Sequence, residues 1–344
     1  MVHTVLIKVH RTLLSKHSVN SKLKCVRLVS QVTKDKTRRG LPIVHHEGYV
    51  SHLPPDHRFK MRKFERLFYY LLKDNVIDRK QVWKPERVSR KVLIETVHTQ
   101  EYIDDFFSGQ IGVKEQKKTG FEWSRGLVSR CRYETGGTLL AVEAALQYGL
   151  ACSTGGGTHH AFPSHGSGFC LINDMAVAAR YFILRNRVSK VLIVDLDVHQ
   201  GDGTAFIFAD DPNVFTFSVH CGKNFPLHKQ KSDLDVSLEN GVGDDEYMEE
   251  IGKWLPLILE TFRPDLVIYD AGVDPHQKDA LGNLNLTDAG LFHRDYWVMD
   301  RVLSHGVPCA CVIGGGYSKD LDELSLRHTI LHRAATKVWT DRGM

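Results

Sequence analysis

The chain of 344 residues contains no C-x-x-C pair, and its seven cysteines are an odd number. Both facts argue against a disulfide framework and against a cysteine zinc site, and they favour a reducing compartment. Cys309 and Cys311 read as small core residues. No apolar run approaches the ~20 residues needed to cross a bilayer, so a soluble protein without a membrane span is expected. The body of the chain also lacks a long basic block, and a formal net charge of +4 predicts no direct nucleic-acid binding. Internal repeats and low-complexity linkers are absent. What remains is a chain with 42% hydrophobic residues, long enough for one large domain. Acidic residues are scarce in one stretch only: between Met1 and Gly40, Lys and Arg recur and Asp35 is the single acid. Residues 1–40 therefore form a basic extension, which reads equally as an organellar presequence or as a segment of no targeting value. A presequence implies a mitochondrial or other organellar location; otherwise cytoplasm and nucleus are both open. Residues 41–344 form the globular part.

The stretch that organises this part is Lys190 to Gly203, KVLIVDLDVHQGDG. Val191 to Val194 is a continuous apolar run, as expected of a strand buried on both faces in a parallel sheet. Asp195, Asp197 and His199 follow at period two, so they leave the backbone on roughly one side. Ligands of open α/β sheets bind at this end of the strands, and three ionisable groups in a core need something to satisfy them. A divalent metal would do so.

Along the chain, LPIVHHEG opens with a first strand, and Pro54 and Pro55 rule out a helix after it. Met61, Phe64, Leu67, Phe68, Leu71 and Leu72 recur at helical spacing. Val92 to Val97 is expected to be a second strand, with His98 a weak site candidate at its end and a helix beyond. Leu139 to Tyr148 reads as a helix, and Leu150 to Thr154 as a strand closed by Gly155, Gly156 and Gly157. His159 and His160 come next. No Walker lysine follows those glycines, so phosphate binding is not indicated. A helix is expected from Asp174 to Arg185, a strand from Val214 to Val219, and a helix opened by Asp244 and Asp245 that Pro256 should kink or break. Leu266 to Asp270 is the next strand, and Asp274 lies just past it. Thr287 N-caps a helix to His305, Pro308 to Ile313 is a strand closed by three glycines and Tyr317, and a helix from Leu321 to Trp339 ends the chain. Strands alternate with helices, which describes a single doubly wound α/β domain with a mainly parallel sheet and helices on both faces.

Asp197, His199 and Asp274 form an oxygen-and-nitrogen donor set that suits Zn2+, with Fe2+ the other option, and three protein ligands leave a position open for water and substrate. Amide hydrolysis at such a metal also needs a proton acceptor, an acid for the leaving amine and an oxyanion donor. His159, His160 and Tyr317 can fill those roles. Asp195 and Asp202 are available to orient the imidazoles.

The motifs GGGTHHAFPSHGSGFCLIND, VDLDVHQGDG, DAGVD and IGGGY, in this order, resemble the metal-dependent histone deacetylase family, which shares its fold with arginase. The likeness extends from about Leu41 to Trp339, and the LP...H..Y...LPP.HRF opening is closest to the class IV or bacterial-type branch. The resemblance implies that Asp197, His199 and Asp274 hold the metal and that His160 is the general base and acid, oriented by Asp202. It implies His159, paired with Asp195, as the neighbouring electrostatic histidine and Tyr317 as the donor to the carbonyl oxygen. Phe169 and Phe225 would wall the channel for an acyl-lysine stem, and Gly315 would leave room for that stem and offer a backbone carbonyl. Gln200 stands where many relatives carry a second histidine. The implied substrate is an acyl-lysine in a protein, with acetyl or a longer acyl group. The alternatives are a small acylated amine such as an acetylpolyamine, a non-catalytic binding module, and a two-metal ureohydrolase, which would need further bridging aspartates. Acyl length and oligomeric state are not readable from the sequence.

Overall fold

In the computed structural model, residues 40–344 are described; the basic segment 1–39, with the presequence expectation attached to it, lies outside the described residues. Short apolar runs build eight strands: β1 (Ile43–Val44), β2 (Val82–Trp83), β3 (Leu150–Ser153), β4 (Val191–Asp195), β5 (Val214–Cys221), β6 (Leu234–Leu238), β7 (Leu266–Asp270) and β8 (Cys309–Val312). They form one sheet in the order β2-β1-β3-β8-β7-β4-β5-β6, and every neighbouring pair is parallel. Every residue of β3, β4, β5, β7 and β8 is buried. Strands buried on both sides need cover on both faces, which is why they read as unbroken hydrophobic runs and not as alternating ones. β6 does alternate, with Asp235 and Ser237 more exposed than their neighbours, as an edge strand should.

The helices in chain order are α1 (Lys63–Lys73), α2 (Arg90–Thr96), α3 (Gln100–Ser108), α4 (Val113–Thr119), α5 (Arg125–Tyr148), α6 (Asp174–Leu184), α7 (Asp202–Phe208), α8 (Asp244–Phe262), α9 (Asp288–Ser304) and α10 (Leu321–Asp341). Helices α5 and α10 both pack on β3, and α10 also packs on α1 and α9. Among the described residues, no helix is long and apolar enough to cross a membrane.

Two expectations are corrected. Val92 to Val97 lies in a helix, not a strand. The Ser89 hydroxyl accepts from the Val92 amide at 3.3 Å and caps α2, and Val92 and Leu93 turn inward while Arg90 and Lys91 face solvent. A run of only three apolar residues cannot separate the two periods, and the cap decides. Helix α8 also passes unbroken through Pro256. The proline removes one backbone donor, but Ile251, Leu255, Ile258 and Leu259 keep the same buried face across it, and that packing outweighs the loss.

His98 follows α2 and serves the fold. Its Nδ1 donates to the Phe162 carbonyl at 3.1 Å, and its Nε2 accepts from the Asn173 amide at 3.1 Å. A carbonyl can only accept and an amide only donate, so the neutral tautomer is fixed. Burial pushes its pKa down to about 4, and the equally buried His332 is also pushed down to about 4 by burial. For such a histidine the unfolded chain binds a proton near pH 6.5 that the native state refuses. Stability is therefore expected to fall as pH drops from 6.5 towards 4, by up to ~1.4 kcal/mol per pH unit for each group. Urea midpoints measured across that range check this, and a flat profile would contradict it.

The four central strands, in the order β3-β8-β7-β4, deliver the loops that matter. All their carboxyl ends lie on one edge of the sheet, because the strands are parallel.

Candidate active site

The loop after β3 turns on Gly156 and Gly157, at φ +91° and +90°. A Cβ on Gly157 would lie 2.6 Å from the Gly314 Cα and 2.8 Å from both Asp270 carboxylate oxygens, so the loops after β3 and β8 can meet only with glycine there. Asp174, at the start of α6, pins this turn by accepting from the Gly157 amide at 3.1 Å and the Thr158 amide at 2.7 Å. Next to it, the Asn173 side chain donates to the carbonyls of His159 and Ala161 at 3.3 and 3.2 Å. The histidine pair is thereby held at the sheet edge, with its ring centroids 4.0 Å apart.

Strand β4 ends at Asp195, so Asp197 and His199 lie in the turn beyond it. The expected single convergence of Asp195, Asp197 and His199 resolves into two groups. Asp195 Oδ2 accepts from His159 Nδ1 at 2.8 Å. Asp197 and His199 turn towards Asp274 instead, and ligand atoms of these three lie within 4.8 Å of one another. Asp202, the first residue of α7, accepts from His160 Nδ1 at 2.6 Å. Gln200 points away from the site: its amide donates to the Gln230 carbonyl and to Asp235, both at 2.7 Å, tying the loop to the β6 edge.

The Asp197, His199 and Asp274 group could hold a cation. Each carboxylate has an oxygen anchored by backbone, with the Gly315 amide 2.7 Å from Asp197 Oδ2 and the Val198 amide 2.9 Å from Asp274 Oδ1. His199 Nδ1 lies 2.9 Å from Asp197 Oδ1 and 3.2 Å from Asp274 Oδ2. Two carboxylates and one imidazole, all buried, concentrate negative charge where water cannot screen it. Burial opposes a charged His199, yet hydrogen bonds to Asp197 and Asp274 overcome it and raise the pKa to about 10. A divalent ion answers the same demand for positive charge, and two oxygens with one nitrogen match zinc or ferrous iron.

Gly315 lies in the wall of the site's cavity and also serves the carboxylates. Its carbonyl accepts from the Val273 amide at 2.8 Å, and a Cβ on it would lie 2.3 Å from Asp274 Oδ2 and 2.5 Å from Asp197 Oδ2. The glycine thus makes room for the two carboxylates. Arg294, fully buried on α9, joins the same loops from below by donating to the carbonyls of Leu196 and Gly272 at 3.1 and 2.9 Å. No pattern in the sequence marked this mid-helix arginine.

The adjacent histidines are pushed in opposite directions. Burial would discharge His159, but Asp195 and Asp197 overcome it and hold its pKa well above the ordinary value. His160 is pulled down to about 4 by burial and then by the charge on His159. One imidazole carries a proton while its neighbour can accept one, a separation that marks acid–base sites. Tyr317 sits with its ring centroid 6.2 Å from His199. Burial, then Asp274 and Asp197, raise its phenol well above the usual range, so it remains a donor.

Two further carboxylates escaped sequence reasoning. Asp279 accepts from the Tyr317 amide at 2.7 Å and fixes the tyrosine's backbone. Asp270, the last residue of β7, has no hydrogen-bond partner at either oxygen and lies 4.0 Å from His159 Nδ1. Burial and the neighbouring Asp195 push its carboxyl well up. It was legible only as the end of a strand.

One cavity joins these groups, with Phe169, His159, His160, Asp197, Gly315 and Tyr317 in its wall. Phe169 adopts φ +64° beside Gly168 and packs against Phe59 and Phe121, each at 5.5 Å between centroids. Phe225 stands edge-on to His160 at 4.9 Å. It is 45% exposed, at the outer side of the histidine.

A model of the histone deacetylase domain matches residues 57–332. The chain is 50% identical over 300 residues to an uncharacterized protein of Picosynechococcus sp., covering 87% of this chain and all of that one. It is 29% identical to histone deacetylase 2 of Arabidopsis thaliana, over 76% of this chain and 70% of that one. Identity is also 29% to the acetoin utilization protein AcuC of Staphylococcus aureus strain Mu50, over 76% and 72%. Among solved structures, an HDAC homolog from Aquifex aeolicus superposes with a TM-score of 0.71 at 24% identity, over 86% of this chain and 84% of the other.

Proposed function

Since this chain belongs to the histone deacetylase family, we propose that it hydrolyses the side-chain amide of an acyl-lysine in a protein, with Asp197, His199 and Asp274 holding zinc. One observation carries the reading: His159 and His160, hydrogen-bonded to Asp195 and Asp202, stand beside Asp197, His199 and Asp274, which could together hold a metal ion. A divalent ion bound there supplies Lewis-acid polarisation of the carbonyl and a water acidic enough to attack it.

The remaining chemistry comes from the chain. Asp202 accepts from Nδ1 of His160, which leaves Nε2 to take the proton of the attacking water. The same nitrogen then returns that proton to the departing lysine amine. His159, charged through Asp195, supports the negative charge that gathers at the carbonyl oxygen, and the Tyr317 hydroxyl donates to that oxygen. Phe169 on one side and Phe225 at the entrance suit the apolar stem of a lysine.

The test compares acetyl-lysine peptides with acetylated polyamines on the zinc-loaded full chain. Peptide turnover is expected. Turnover of polyamine alone would replace this reading with a small-amide hydrolase, and silence with metal bound would make the chain a binding module.

A further inference from the structure

Charge is spread unevenly over this chain. Residues 1–39 hold ten of its 45 basic residues and one of its 41 acidic ones, which leaves residues 40–344 with a formal charge of −5. The opening of the catalytic cavity has the opposite sign. We propose that this opening is a cationic collar that selects acyl-lysines with aspartate or glutamate as near neighbours, so that the substrates are acidic segments of proteins. The proposal rests on the acyl-lysine reading given above.

Three segments frame the opening. Residues 56–60 hold Phe169 through Phe59 and through His57, whose ring centroid is 6.1 Å away. Residues 113–122 hold it through Phe121 and through the carbonyls of Lys118 and Thr119, which accept from the Gly168 and Phe169 amides at 3.1 and 3.0 Å. Residues 222–231 bring Phe225 from the other side. Gly168 lies between, since a Cβ on it would be 2.6 Å from His160 Cδ2 and 2.9 Å from Phe225 Cε1. Together the three segments carry eight basic residues against three acidic ones, and residues 222–231 have no acid at all. A charge of +5 therefore surrounds the opening on a body that is otherwise negative. Two of these cations are occupied: Lys223 pairs with Glu239 at 3.3 Å, and Lys229 donates to the carbonyls of Asn224 and Pro226 at 2.6 and 2.7 Å, which fastens the backbone on both sides of Phe225. Lys117, Lys118 and Lys231 are exposed and, among the described residues, pair with no carboxylate. An acylated lysine has lost its own charge, so the residues beside it decide the electrostatic fit. Aspartate there meets free ammonium groups, whereas lysine or arginine meets like charge.

The experiment measures kcat and KM of the zinc-loaded full chain on three acetyl-lysine peptides that differ only in their flanking residues, which are aspartates, serines or lysines on both sides. Each exposed ion pair contributes about two- to fivefold, so at ~0.05 M salt the acidic peptide is expected to exceed the basic one about tenfold or more in kcat/KM, with the difference in KM. At ~1 M salt, where the screening length is about 3 Å, the ratio should approach one. Lys117→Glu, Lys118→Glu and Lys231→Glu combined should bring the low-salt ratio to one or below. Lys117→Gln, Lys118→Gln and Lys231→Gln combined, which remove the charges without reversing them, should give an intermediate ratio. Both variants should keep the serine-flanked peptide within a few-fold of the wild type. Equal wild-type kcat/KM for the acidic and basic peptides, or a preference undiminished by high salt or by the three reversals, overturns the inference and leaves the acyl-lysine reading intact. Absence of turnover on every acetyl-lysine peptide removes that reading and this inference with it.

Discussion

Tyr317→Phe is expected to lower kcat on an acetyl-lysine peptide about 10²–10³-fold, the usual effect of removing one oxyanion donor, while metal content and KM change little. The substitution deletes a single oxygen. The ring keeps its packing against Phe169, 5.7 Å away between centroids, and against His199, and its backbone remains held by Asp279. Nothing on the metal ligands is disturbed, so zinc per chain should match the wild type. The lost hydroxyl matters because of its surroundings. Burial beside two carboxylates keeps the phenol protonated well past neutral pH, which makes it a donor already aimed when charge develops, in a site where water cannot take its place. Single-turnover rates with metal analysis on the same sample check this. An unchanged kcat would remove Tyr317 from the chemistry.

The second large effect is expected at Asp274. Asp274→Asn nearly preserves shape but replaces an anionic ligand in a pocket whose charge balance calls for a cation. Zinc affinity should fall well beyond the ~10–100-fold typical of losing a group that merely supports a ligand, and turnover should vanish with it. Stability separates this from simple misfolding. Asp274 and Asp197 repel each other across His199, and burial and Asp197 push the Asp274 carboxyl up. In chelator the variant should therefore be at least as stable as the wild type. Saturating zinc reverses the order, because only the wild type gains the stabilisation of a tightly bound ligand, ~2.7 kcal/mol at a hundredfold excess over Kd. Thermal melts of both proteins with zinc and with chelator provide the measurement. A variant that melts lower than the wild type in both conditions would mean Asp274 serves the fold and not the ion.

The parts of this site that sequence reveals are those whose chemistry conflicts with their place. Asp195, Asp197 and His199 alternating after four apolar residues, or two histidines just beyond three glycines, make no sense as core and so announce themselves. The sheet was legible for a related reason: central parallel strands are hydrophobic throughout and end abruptly in glycine or acid, as β4, β7 and β8 do. Where those contrasts fade, reading fails. Val92 to Val97 is too short to show a period, and only the Ser89 cap reveals it as a helix. β6 is a half-exposed edge strand without a continuous apolar run. Arg294 and Asp270 lie within an ordinary helix and strand, and they meet the loops of the site across dozens of residues of chain. At Gly315 the position beside Tyr317 was plain, but the close approach of the Asp197 and Asp274 carboxylates, which also requires glycine there, is something spacing cannot express.

The most direct test of the central claim is a metal titration read by hydrolysis. The full chain, stripped with chelator, is titrated with zinc while cleavage of an acetyl-lysine peptide is followed. Activity should be absent at the start, rise in proportion to zinc and saturate near one ion per chain, with no rise in Asp274→Asn. Full activity in the stripped protein, or peptide cleavage by Asp274→Asn that matches the wild type, would contradict metal-dependent acyl-lysine hydrolysis at this site.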